Sequence, residues 1–189
     1  KYIIDSEKDS IVGVAVSKGD RLTIGKKNSR VLYVISLFLI MGPIHFFKNS
    51  VITVLFKIQK LLSRINLLSD PSILCYAKQN NITSYNITSP NSKEFIQTLK
   101  DLNVDIIINQ SQSIIKKELL AIPRVGVINR HNALLPRNRG RLTPFWVLFK
   151  GETETGVSIH FVNEGIGYGD IIIQEKYTVN KRDTFNSLV

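Results

Sequence analysis

Residues 104–131 read VDIIINQSQSIIKKELLAIPRVGVINRH, and this stretch decides the fold. The apolar run at 104–109 predicts a strand that is buried in a sheet. Helical spacing follows at 114–120, and a second apolar run at 126–131 predicts another strand. Because strands that alternate with helices form parallel crossover units, the stretch indicates an α/β sheet.

The same alternation continues on both sides of this stretch. We therefore expect a Rossmann-like, mostly parallel sheet with helices on both faces, forming one domain over residues 1–189. Residues 18–28 are polar and contain glycine, which predicts a loop. The other predicted strands lie at 11–16, 82–87, 155–162 and 170–179, and the other predicted helices at 51–62, 70–79, 92–102 and 143–149. Asp70 is the predicted N-cap and Pro71 the predicted first residue of the helix at 70–79.

Composition narrows the class of protein. The chain has 189 residues with one cysteine, Cys75, which excludes an internal disulfide and a cysteine-based zinc cage. No metal is expected, and the cytoplasm is the expected compartment. The formal net charge is +10, which favours anionic partners such as a phosphate-bearing substrate or a tRNA, or simply indicates a lysine-rich surface.

The two ends predict a fragment. The first residue is Lys1 rather than methionine, and residues 183–189 are typical of the first turn of a helix that Asp183 would cap.

Residues 31–47 form a stretch without a formal charge. As a helix these residues would extend roughly 25 Å, short of the ~30 Å hydrocarbon core of a bilayer, and Gly42-Pro43 would break the helix near its end. We expect a buried or interfacial helix without stable membrane insertion. A membrane-associated scaffold remains an alternative interpretation.

Ligands of α/β sheets bind beyond the carboxyl ends of the strands, so functional groups are expected just after Ile108, Ile128 and Val162. Asn129 and His131 are two positions apart on a strand and therefore point to the same face. An amide and an imidazole together suit the stabilisation of an oxyanion, and an imidazole can also move protons. By itself this pair fits a structural histidine as well.

The motifs around this pair carry a resemblance. Asn129-Arg130-His131, the segments 134–136 and 155–159, Arg139-Gly140 and Gly151 together resemble the signature of the formyltransferase family. That family includes the methionyl-tRNA, phosphoribosylglycinamide and sugar-nucleotide formyltransferases. The resemblance implies a Rossmann-type catalytic domain that transfers a formyl group from 10-formyltetrahydrofolate to a primary amine. It also implies a domain truncated at both ends, without the first strand of the family.

The resemblance further implies the catalytic residues. Asn129 and His131 match two members of the family's Asn, His and Asp set, and the aspartate falls on Gly167. We therefore expect an inactive or impaired enzyme, unless Asp170 or Glu164 replaces the missing carboxylate or position 167 is a sequence error.

The folate and acceptor sites also follow from the resemblance. Family members hold the pterin with the backbone after the strand at 104–109 and with a loop on the opposite side. The implied cofactor-binding residues are Gln110, Ser111, Gln112, Gly165 and Ile166, and the implied substrate-binding residues are Leu135, Pro136 and Arg139.

The acceptor is left open between a small-molecule amine, as on a sugar nucleotide, and methionyl-tRNA. Five arginines near the motif could bind its phosphates: Arg124, Arg130, Arg137, Arg139 and Arg141. The alternative function is an inactive folate- or nucleotide-binding domain. His160 has no motif of its own and is interpreted as structural.

Overall fold

The structure is a computed structural model that describes residues 1–17, 30–111, 113–164 and 168–188. The predicted loop at 18–28 lies outside the described residues. The strands are β1 (Val14–Ser17), β2 (Ser84–Ile87), β3 (Ile106–Asn109), β4 (Gly126–His131), β5 (Glu154–Val162) and β6 (Tyr168–Thr178). The helices are α1 (Tyr2–Ser6), α2 (Arg30–Met41), α3 (Pro43–Ser63), α4 (Ile73–Gln79), α5 (Lys93–Asp101), α6 (Lys117–Leu120) and α7 (Thr143–Phe149), with a 3-10 turn at Lys8–Ser10.

The strands form two sheets in the described part of the chain. β1 pairs with β2 in parallel, and the second sheet has the order β3-β4-β5-β6. The Rossmann-like α/β class is confirmed, because β1 with β2 and β3 with β4 form parallel pairs whose strands are connected through helices.

The expectation of a mostly parallel sheet needs one correction. β3 and β4 are parallel, but β5 is antiparallel to β4, and β6 is antiparallel to β5. Alternation of element types does not encode strand direction. The length of the connection between β5 and β6 does indicate an antiparallel pair. Its five residues are too few for the crossover that parallel strands need.

A small core lies under β3 and β4 and fixes the position of the strand ends. It consists of the buried residues Leu99, Val104, Ile115, Leu119 and Val127. The opposite face of β3 is less covered than expected, since Ile106 and Ile108 are 47% and 49% exposed.

α5 supplies Leu99 to this core and follows its sequence closely. The hydroxyl of Ser92 accepts a hydrogen bond from the Phe95 amide at 3.3 Å, which caps the helix where the pattern predicts its start.

Several helix predictions differ from the structure. α4 is capped by Ser72 rather than Asp70, because the Ser72 hydroxyl accepts from the Cys75 amide at 3.2 Å while Asp70 accepts from the Ser72 amide. α6 begins at Lys117 rather than at 114, after an extended backbone at Lys116. Asp183 does not cap a helix; it accepts from the Asn180 amide in a turn that extends to Ser187.

The uncharged stretch at 31–47 forms α2 and the beginning of α3. The two helices meet at Gly42, whose φ is +74°, and Pro43 is the first residue of α3. Both helices are exposed along most of their length, so of the two expected placements, buried or interfacial, the buried one is wrong. No helix in the described part of the chain is long and apolar enough to span a membrane.

Candidate active site

The pairing of β4 with its two neighbours collects polar groups at one place. Asn129 lies opposite Asn109 of β3 and opposite His160 of β5. His131 follows two residues later on the same face and is half-buried. The predicted convergence of Asn129 and His131 thus includes a third side chain, that of His160.

His160 is bonded to the chain at one ring nitrogen and faces Asn129 with the other. Its Nδ1 lies 2.7 Å from the carbonyl oxygen of Phe161, which can only accept, so Nδ1 carries a proton. In the neutral ring Nε2 is then an acceptor, and it lies 3.5 Å from the Asn129 Nδ2. Sequence reasoning missed this contact because only the pairing register places residue 160 beside residue 129.

His131 is held by the loop that follows β4. Its Nε2 donates to the backbone oxygen of Asn138 at 2.9 Å, and its ring meets that of His160 edge-on at 6.3 Å. Burial lowers the pKa of His131 below its usual 6.5; the Asn138 carbonyl partly opposes this shift, and His160 adds to it. His131 is therefore neutral at pH 7, with its Nδ1 lone pair able to accept a proton.

Ser158 of β5 fixes the first part of that loop. This fully buried hydroxyl donates to the Ala133 oxygen at 2.6 Å and accepts from the Leu135 amide at 3.1 Å. Gln174 of β6 donates to both Ser158 and the Leu135 oxygen at 2.8 Å. The Leu135–Pro136 peptide is cis. Gln174 was not predicted, since its contact depends on the antiparallel pairing of β5 and β6.

Asn138 fixes the second part of the loop. Its side-chain oxygen accepts from Lys150 at 2.6 Å, and its amide donates to Glu152 at 2.9 Å. These bonds hold the backbone oxygen that orients His131, so the imidazole has a firm support.

A family model described as Formyl transferase matches residues 48–189. The chain belongs to the formyl transferase family. A methionyl-tRNA formyltransferase of Prochlorococcus marinus is 37% identical over 143 residues, covering 75% of this chain and 44% of that protein. One of Clostridioides difficile is 38% identical over 113 residues, covering 59% and 37%. The chain thus spans less than half the length of these relatives.

A solved structure shows the same kinship. The phosphoribosylglycinamide formyltransferase of Bacillus halodurans superposes with a TM-score of 0.53 and 28% identity, over 59% of this chain and 62% of that one.

The folate residues implied by the formyl transferase family lie partly within the described chain. Gln110 and Ser111 follow β3 directly, beside Asn129, and the Ser111 amide donates to the Asn109 side chain at 3.0 Å. The Ser111 hydroxyl and the Asn132 side-chain oxygen are buried without a protein partner. Each of these atoms needs a hydrogen bond from a ligand or water, and the Ser111 hydroxyl, directly after β3, is therefore a fitting partner for a polar heterocycle. Gln112, Gly165 and Ile166 lie outside the described residues.

Gly167, where the resemblance places the family aspartate, also lies outside the described residues. Asp170 is exposed on β6, and no hydrogen bond or ion pair joins it to His131 within the described ranges. β5 is antiparallel to β4, so its last residue, Val162, lies beside the beginning of β4. The expectation that functional groups follow the carboxyl ends of the strands therefore applies to β3 and β4 but not to β5.

The implied acceptor residues and the arginines are not all at the site. Leu135 is buried, with both backbone groups bonded, whereas Pro136 and Arg139 are exposed on the loop. Arg124 pairs with Asp105 before β3 and β4 begin, at the edge of the sheet away from His131. Arg130 points to the other face of β4, and Arg137 and Arg141 lie exposed near Arg139.

Two further observations concern cavities and metal sites. A cavity of about 390 Å³ is lined by Lys100, Asn103, Glu118, Ala121 and Ile122, away from the end of β4. In the ranges that the structure describes, no cluster of three His, Cys, Asp or Glu side chains could hold a metal ion.

Proposed function

We propose that this chain is the catalytic domain of a folate-dependent formyltransferase, in which Asn129 and His131 act on a formyl group transferred from 10-formyltetrahydrofolate to a primary amine. The observation that carries the proposal is the joint placement of Asn129, His131 and His160 on one face, next to the loop at Asn109–Ser111. The cosubstrate supplies the one-carbon unit, and all other chemistry falls to the side chains of the protein.

Asn129 would stabilise the negative charge that develops on the formyl oxygen. Its amide has two N–H groups, of which one faces His160, so the second can donate to that oxygen. A side-chain donor of this kind contributes roughly 10²–10³-fold in rate.

His131 fits the role of proton acceptor better than that of oxyanion donor. Its Nε2–H already donates to Asn138, and Nδ1 carries the lone pair when the ring is neutral. An attacking amine must lose a proton, and a neutral imidazole can take it. Of the two roles considered from the sequence, Asn129 would therefore stabilise the oxyanion, and His131 would accept the proton.

The proposal includes an impaired reaction. An aspartate beside His131 would raise its pKa and stabilise the imidazolium, whereas burial lowers that pKa and no carboxylate of the described chain opposes the shift. Gly167 stands where the family carries the aspartate, and the loss of one acid–base group costs about 10²–10⁴-fold in rate.

The acceptor is proposed to be an amine on a phosphate-bearing molecule, either methionyl-tRNA or a sugar nucleotide. The matched methionyl-tRNA formyltransferases support the first, and the formal charge of +10 suits both. Arg139, in the loop beside His131, is the proposed phosphate contact. The missing carboxylate favours a second candidate function, a folate- or nucleotide-binding domain without turnover.

The test restores the carboxylate. Gly167→Asp should raise the rate of formyl transfer about 100-fold or more, assayed with 10-formyltetrahydrofolate and each acceptor. Gly165→Asp is the matched control, since it adds the same charge two positions away and should give no gain.

Each outcome decides between the two functions. A gain in Gly167→Asp that Asn129→Ala or His131→Ala removes supports the catalytic proposal. Binding of the folate without turnover in any variant favours the binding domain, and absence of both binding and turnover contradicts the proposal.

A further inference from the structure

Helices α2 and α3 form a hairpin that packs mainly against itself. Phe38 and Phe46 meet edge-on at 5.4 Å across the turn, and the Asn49 side chain contacts the Met41 sulfur at 3.6 Å. The surface of the hairpin away from this contact is exposed: Leu39 of α2 is 73% exposed, and Ile44 of α3 is 79% exposed. Apolar surface of this extent marks an interaction site in soluble proteins.

The exposed apolar residues of α3 follow a regular spacing. They recur at intervals of three and four residues, which places them on one side of the helix. We call this set the apolar stripe: Ile44, Phe47, Val51, Val54, Ile58 and Leu61, all 47–79% exposed.

The charges of the hairpin have a single sign. Residues 31–64 contain four basic side chains and no acidic one. Lys48 and Lys57 flank the apolar stripe on its two sides, while Lys60 lies on the opposite side of the helix. All three lysines are exposed. Lysine stems can lie along an apolar surface while their amines reach toward negative charge.

We propose that the α2–α3 hairpin docks on an anionic lipid membrane, with the apolar stripe in the interface and the two flanking lysines, Lys48 and Lys57, on lipid phosphates. A basic amphipathic helix with an apolar face is the element that binds such surfaces. The inference does not rest on the proposed enzyme activity, because the hairpin contributes no residue to the site around His131.

A second copy of the chain fits this surface less well. The stripe would also suit a coiled coil, but two hairpins would bring lysines together without an acidic partner on either. The second helix of the hairpin adds further apolar surface, because α2 carries no charge at 31–41 and its Val31, Ile35 and Leu39 are exposed. This wide apolar surface matches a lipid interface better than a single helical seam.

Co-sedimentation with vesicles tests the proposal. The protein should bind vesicles of phosphatidylglycerol and phosphatidylcholine and leave pure phosphatidylcholine largely unbound, with binding that weakens in 1 M salt. Lys48→Glu/Lys57→Glu should weaken binding by about 25-fold or more, since each basic residue near an anionic surface contributes about five-fold.

Lys93→Glu/Lys100→Glu on α5 is the matched control, because it changes the same charge on another exposed helix and should leave binding unchanged. Val51→Ser/Val54→Ser should weaken binding several-fold without changing the charge. Circular dichroism verifies that each variant is folded.

Three results would overturn the proposal: equal binding of neutral and anionic vesicles, equal losses in the α3 and α5 charge variants, or no vesicle binding. In the last case, self-association that Val51→Ser/Val54→Ser abolishes would assign the surface to a second copy.

Discussion

Ser158→Ala should destabilise this protein far more than the same substitution at an exposed serine. Ser158 is fully buried, and its hydroxyl makes hydrogen bonds to Leu135, Ala133 and Gln174. Alanine fills nearly the same space but removes all of these bonds. These hydrogen bonds hold the beginning of the loop whose Asn138 backbone oxygen accepts from His131.

The magnitude follows from the groups that lose their partner. The Leu135 amide and the Ala133 oxygen both belong to buried residues, and an unsatisfied buried donor or acceptor costs about 1–3 kcal/mol. Gln174 retains its bond to the Leu135 oxygen. We expect a loss of about 2–4 kcal/mol in the free energy of unfolding, because neighbouring effects are not fully additive.

Ser187→Ala is the matched control. Its hydroxyl also makes hydrogen bonds to the Thr184 amide, the Thr184 oxygen and the Asp183 carboxylate, but it is exposed. Water can replace these bonds, so the loss should stay within about 0.5 kcal/mol.

Urea unfolding followed by the fluorescence of Trp146, the single tryptophan, measures both variants. Thermal midpoints should fall by roughly 4–16 °C for Ser158→Ala, at 2–4 °C per kcal/mol for a chain of this size. An equal loss in the two variants would refute the reasoning that burial decides the cost of these bonds.

Three further predictions concern the site and its support. Gly156→Ala should cost about 3 kcal/mol or more in urea unfolding, because its Cβ would lie 2.1 Å from the backbone oxygen of Glu175; a loss below 1 kcal/mol would contradict the close packing of β5 on β6. The NMR titration midpoint of His131 should lie below 6.5. Because the unfolded state then binds more protons than the folded state, the free energy of unfolding should fall as the pH drops through 6.5 toward the pKa of the folded protein. A midpoint at or above 6.5 would show that burial does not dominate the pKa of His131. In the Gly167→Asp background, Asn129→Ala should lower kcat by about 10²–10³-fold with little change in folate affinity; a loss confined to affinity would assign the amide to binding alone.

Much of the fold was readable from local pattern. The bounds of β4 and α7 agree with the prediction, because each has an apolar sequence bounded by turn residues and packs where that pattern predicts. α5 likewise begins within one residue of its predicted start, with Ser92 as its N-cap. Prediction failed where a competing contact decided the result, as at α4, where Ser72 and not Asp70 caps the helix.

The candidate site was likewise predictable from the sequence only in part. The pair of Asn129 and His131 followed from strand alternation alone, since side chains two positions apart share a face. The contact of His160 with Asn129, the role of Gln174 and the engagement of Arg124 with Asp105 could not be derived. Each of them joins residues 16 to 39 positions apart, and such contacts depend on register and strand direction.

The sequence by itself determined the α/β class, the strand that carries Asn129 and His131, and the resemblance that the comparisons then confirmed. Only the tertiary structure decided that β5 returns antiparallel, that His131 donates to Asn138, and that α2 and α3 lie exposed. The physical reason is that local propensity and periodicity act over a few residues. The direction of a strand and the proton position on an imidazole are set by neighbours that the chain brings together only on folding.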